Sequence, residues 1–219
     1  IAGLLIGSCV AIVIVAIGRF LSGDVTAALA VTIGILMTGA FHEDGLADTV
    51  DALVGGWTVE DRLRILKDSR HGTYGVTALV TSIAIRILSL GAICDISLKT
   101  GAVATICAHL IARVLSVFSM LIAPRSPHPG LGSDYLSQLN RFACWRGLTI
   151  GSIIAVALAG WSSLTALVIG VVCSLLIVIW ATKKIGGISG DILGAIEQVG
   201  EIVVFVVFAA MVTTYPIWW

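Results

Sequence analysis

Seven apolar stretches, at about 1–18, 25–41, 75–94, 101–122, 147–160, 163–180 and 201–218, alternate along the chain with polar intervals of unequal length. Several fall a little short of the ~20 residues that span a bilayer as a helix. The fifth and sixth are parted only by Gly160-Trp161-Ser162-Ser163, and Gly151, Ser152 and Gly170 within them permit close helix packing. The long intervals are the basic ones. Positions 42–74 carry Arg62, Arg64, Lys67 and Arg70, positions 123–146 carry Arg125, Arg141 and Arg146, and positions 181–200 carry Lys183 and Lys184. The short link at 95–100 holds only Lys99. If every stretch spans, the three basic intervals fall on one face, which the positive-inside rule makes cytoplasmic. The pattern predicts an all-α, polytopic transmembrane helical bundle: one membrane domain over 1–219, about seven spanning segments and short interfacial helices. The expected location is the prokaryotic cytoplasmic (inner) membrane.

Composition agrees. Hydrophobic residues make up 58% of the chain, the mean hydropathy is +1.07, and only 12% of residues are charged, about half the usual soluble share. Net charge is zero, which excludes the basic footprint of a nucleic-acid binder. Five scattered cysteines without a CxxC are expected as small buried hydrophobes. Residue 1 is Ile and an apolar segment begins at once, so a truncated N-terminus is expected.

The ionisable chemistry is gathered between Phe41 and Gly75, which hold seven of the thirteen acidic residues and four of the thirteen basic ones. Asp44, Asp48 and Asp51 are spaced i, i+4, i+7 and share one helix face. Three carboxylates on one face repel unless a cation lies among them, and oxygen donors suit Mg²⁺. Glu43 and Asp68 could complete or flank such a site. Gly55-Gly56 ends this helix, and Thr58 N-caps a second, amphipathic one suited to the membrane interface. At its end Lys67, Arg70 and His71 gather around Asp68. Acids for a metal beside basic donors are what phosphoryl transfer requires.

Further ionisable residues lie inside apolar stretches: Arg86, and His109 and Arg113 on one face with Ser116. A buried charge costs at least a few kcal/mol in a bilayer, so each needs a partner or a polar cavity. The last polar interval offers Gly186, Gly187, Gly190 and Gly194, with Asp191, and with Glu197 and Glu201 four apart.

HEDGLADTVDALVGG followed by LKDSRHGTYG resembles the signature of the cobalamin synthase family (adenosylcobinamide-GDP ribazoletransferases), and GGISGDILGAIEQVGE is similar to that family's C-terminal element. Arg113 falls where the family has a helical arginine. The resemblance covers nearly the whole chain and implies a further stretch before position 1. It also implies a reaction: a ribose hydroxyl of α-ribazole, or of its 5′-phosphate, attacks the phosphate of adenosylcobinamide-GDP nearest the corrinoid, and GMP leaves. Mg²⁺ is the implied cofactor. On this reading Asp44, Asp48, Glu43 and Asp51 are candidate metal ligands. Asp51, His71 and Asp68 are candidate catalytic groups. Lys67, Arg70, Arg113, Arg141 and Asp191 are candidate substrate contacts. Membrane lipid is an expected partner, and homo-oligomerisation is left open. The rivals are a CDP-alcohol-type phospholipid synthase, whose D-G-x2-A-R…G-x3-D-x3-D spacing is missing, and a secondary transporter, which would place its acids near the bilayer midplane.

Overall fold

The computed structural model describes residues 1–124 and 140–212. The expected Arg125 and the end of the last apolar stretch lie outside them. Among the described residues there are eight α-helices and no strand: α1 (Ala2–Ile17), α2 (Gly23–Thr38), α3 (Phe41–Val50), α4 (Val59–Ile65), α5 (Thr73–Ile96), α6 (Leu98–Ile122), α7 (Arg141–Ile185) and α8 (Gly190–Met211). A π-helical turn, Asp51–Gly55, follows α3.

The pattern of a soluble protein is turned outside in. Large apolar side chains such as Leu5, Ile12, Val80, Leu88, Val168 and Leu176 face outward, while Arg86, Glu43 and Glu201 are buried. Only a surround of lipid favours this arrangement, and the chain is an integral membrane protein. α6 is the central helix, packed against α1, α5, α7 and α8. Small residues bring the axes together: a Cβ at Gly7 would sit 2.8 Å from the Ile106 Cα, and one at Gly151 would meet Val114 at 2.6 Å.

Four helices, α5 to α8, are long and apolar enough to cross a membrane, or five if α2 and α3, bent by 90°, form one broken span. The expectation of about seven is too high, for two reasons. α1 is only 16 residues long. The second apolar stretch is turned at Gly39 and Ala40, both left-handed at φ 66° and 59°. The fifth and sixth stretches are not a reason: they form one 45-residue element only across non-helical Ala159 and Gly160, close to where the sequence parts them. This break folds α7 back on itself. The Ala155 carbonyl and the Ser163 hydroxyl both lie against Cys107 of α6, whereas Gly151 and Gly170 lie further along α6 beside Val114 and Leu115.

The polar intervals converge at one end of the bundle. Ile188 donates to the Pro124 carbonyl at 3.1 Å, Arg62 reaches the Lys184 carbonyl, and α3 lies against the start of α8. The interval 42–74 holds the two short helices its pattern predicts, α3 and α4. The predicted Thr58 cap is present, its hydroxyl accepting from the Asp61 N–H at 3.1 Å. All five cysteines are free.

Candidate active site at the polar end of the bundle

α3 is wedged between α5 and α8, and its approach to α8 is unusually close. A Cβ at Gly45 would lie 2.9 Å from the Asp191 carbonyl oxygen and 3.2 Å from the Gly194 Cα. No side chain can stand there. Backbone against backbone, the contact carries Asp44 and Asp48 of α3 up to Asp191 in the first turn of α8. Asp48 lies within electrostatic reach of both Asp44 and Asp191.

His71 completes the cluster. Its Nε2 is 3.6 Å from Asp44 Oδ1, and its Nδ1 is 3.4 Å from Asp48 Oδ1. One potential ligand atom from each of Asp44, Asp48 and His71 lies within 4.8 Å of the others. Two carboxylates one helical turn apart fit Mg²⁺, which takes one or two protein carboxylates and fills its octahedron with water or substrate phosphate. The imidazole is the less typical donor for so hard an ion. It is equally placed to accept a proton.

Other expected residues are placed elsewhere. Asp51 is not in the cluster. Its carboxylate is buried and accepts the backbone N–H groups of Gly72 at 2.6 Å and Gly75 at 2.8 Å. It therefore anchors the start of α5, where free N–H groups and the helix dipole favour an anion. A side chain at Gly75 would collide with this carboxylate. Asp51 stays on the helical path of α3, at φ −60° and ψ −42°, but two amides claim both its oxygens. Glu43 points away from Asp44, into the bundle, accepting from Arg86 at 3.1 Å and Gln198 at 3.0 Å. Asp68 and Arg70 are engaged with each other, Arg70 donating through Nε at 3.0 Å and Nη2 at 2.8 Å. The Arg70 hydrogen bonds hold the Asp68 carboxyl down at about 2. Arg113 pairs with Glu197 at 2.8 Å and donates to the His109 carbonyl. Lys67 and Arg141 are exposed at the same polar end, Arg141 opening α7.

Sequence reasoning missed the network beneath the site. Arg86 joins Glu43 and Glu201, His109 lies 2.8 Å from Glu201, and His42 lies 2.8 Å from Glu197. The signal was available: His109 and Arg113 on α6, and Glu197 and Glu201 on α8, are two i, i+4 pairs of complementary chemistry. Antiparallel packing of α6 on α8 matches them.

Comparison with known proteins adds a second kind of observation. The family model for cobalamin-5-phosphate synthase matches residues 1–209. A protein of Bradyrhizobium diazoefficiens named adenosylcobinamide-GDP ribazoletransferase is 40% identical over 212 residues, covering 96% of this chain and 80% of the relative. One of the same name from Shewanella sp. (strain W3-18-1) is 35% identical over 217 residues, covering 94% of this chain and 79% of the relative. No solved structure matches the chain.

Proposed function

The chain belongs to the cobalamin-5-phosphate synthase family, and from that premise we propose that it joins α-ribazole, or α-ribazole 5′-phosphate, to adenosylcobinamide-GDP, a late step of cobalamin biosynthesis. The ribose hydroxyl oxygen forms a bond to the phosphorus nearest the corrinoid. The bond from that phosphorus to the GMP oxygen breaks, the hydroxyl gives up its proton, and GMP departs. The product is adenosylcobalamin or its 5′-phosphate.

The observation that carries this reading is the convergence of Asp44, Asp48 and His71 at the polar end of a membrane bundle. Asp44 and Asp48 would hold Mg²⁺, with Asp191 contributing charge from α8. Bound there, the ion supplies neutralisation of the diphosphate, the main requirement of phosphoryl transfer. Asp51 has both oxygens committed to backbone amides and Asp68 is held by Arg70. His71 is therefore the residue to take the hydroxyl proton. Lys67, Arg70 and Arg141 would meet the diphosphate from the open side.

Basic residues accumulate at this end, including Arg64, Lys67, Arg70, Arg141, Arg146, Lys183 and Lys184, which supports a cytoplasmic orientation in the inner membrane. The test is incubation of the purified protein with adenosylcobinamide-GDP and Mg²⁺, with α-ribazole and its 5′-phosphate offered separately, following GMP. Release of GMP that depends on the riboside is expected. Release of CMP from a CDP-activated lipid, with no GMP from the corrinoid substrate, would overturn the assignment.

A further inference from the structure

We propose that Arg86 is a positioning residue for the site: a single buried guanidinium that locks the rotation of α3 and so aims Asp44 and Asp48. Its Nη2 donates to Glu43 of α3 at 3.1 Å, and its Nη1 donates to Glu201 of α8 at 2.9 Å. Arg86 itself belongs to α5, the helix that begins just after His71. One side chain thus ties together the three helices that present the site. Its fork geometry suits two carboxylates at once, which an ammonium does not match.

The need for such a tie follows from how α3 meets α8. At Gly45 and Gly194 the surfaces are bare backbone. Glycine against glycine sets a short separation but offers no knob to resist rotation of α3 about its axis. Successive helical residues are about 100° apart, so the direction of Glu43 fixes the direction of Asp44 beside it. Glu43 is held from two sides, by Arg86 and by Gln198, whose own carbonyl accepts from Ser82. His42, one residue earlier, meets Glu197 of α8. The first turn of α3 is therefore fixed by two adjacent residues. Arg86 is 3% exposed, as deep as any charge among the described residues. A buried ion pair is a poor source of net stability compared with apolar packing, and its best-attested use is to specify one arrangement. Here the arrangement specified is the one that brings Asp44 and Asp48 to His71.

The aim of the acidic pair rests on the metal-site reading above, so the test separates the two. Arg86→Met, Arg86→Lys and Glu43→Gln are prepared in detergent beside the wild type. Two quantities are measured: Mn²⁺ affinity by electron paramagnetic resonance, and amide hydrogen exchange of residues 41–50 relative to α5 and α8. Expected for Arg86→Met is a loss of Mn²⁺ affinity of about tenfold or more, the usual consequence of removing support behind a ligand. Faster exchange should be confined to 41–50. Arg86→Lys should lie between, and Glu43→Gln, which keeps the volume and leaves the Arg86–Glu201 pair, should shift both readouts in the same direction. If these variants lose only thermal stability, with Mn²⁺ affinity and α3 exchange at wild-type values, Arg86 is structural and the proposal is overturned. If Arg86→Met does not fold, Glu43→Gln decides by the same two readouts. If the wild type binds no Mn²⁺, the metal-site reading fails, while the exchange of 41–50 still decides whether Arg86 fixes α3.

Discussion

His71 and Asp68 stand three residues apart, and their substitution should have different consequences. The Asp68 carboxyl, held at about 2 by Arg70, stays ionised until the solution is far more acidic than any working range. A group with a lowered value loses its charge only as pH falls towards that value, so Asp68 cannot shape a rate profile near neutrality. Asp68→Asn should leave the pH–rate profile unchanged near neutrality, whereas His71→Asn should lower kcat by about 100-fold or more if the imidazole takes the hydroxyl proton. Asp51 offers a second contrast. Asp51→Asn exchanges a carboxylate that accepts two amide hydrogens for a group that accepts fewer, which should cost about 1–3 kcal/mol in thermal unfolding. Mn²⁺ affinity should fall by no more than the roughly 10–100-fold of a lost outer support, with binding retained, the mark of an anchor and not a ligand. At this scale the sequence was legible where helical periodicity holds: Asp44 and Asp48 are together as their spacing requires. It was illegible at Asp51, because the Gly72 and Gly75 amides that claim its carboxylate are placed there by the packing of α5 on α3.

The α3–α8 crossing is the element on which the site depends. Gly45→Ala places a Cβ against the Asp191 backbone, where no flexible side chain can give way, so the helices must part. Displacements near 1 Å cost about 100-fold when they misplace reacting groups, and a loss of that order in GMP release is expected. Gly147→Ala, on the exposed first turns of α7, meets nothing within 4 Å and should leave turnover unchanged. Element boundaries were largely readable: the Thr58 cap, the stop at Gly55-Gly56 and the glycine contacts of α7 all have local causes. The pairing of His109 and Arg113 with Glu201 and Glu197 was not readable from either helix alone. It requires knowing that α6 and α8 are antiparallel neighbours.

Over the whole molecule, the polar end gathers the basic residues while Trp161 marks the turn of α7 at the other end. In a background with the native cysteines replaced, a cysteine at Lys67 should label only from the cytoplasmic side of sealed vesicles, and one at Trp161 only from outside. The all-helical membrane class was plain from composition and hydropathy. The number of spans was not, because hydropathy registers apolar length and is blind to the bend after Thr38. The central assignment, that the Asp44–Asp48 face is where the diphosphate is cleaved, is tested most directly by GMP release as a function of Mg²⁺ in the wild type and in Asp48→Asn. Expected is saturable Mg²⁺ dependence abolished by chelator, and a rate at least about 100-fold lower in the correctly inserted variant. Wild-type turnover by Asp48→Asn at the same Mg²⁺ concentration would contradict it.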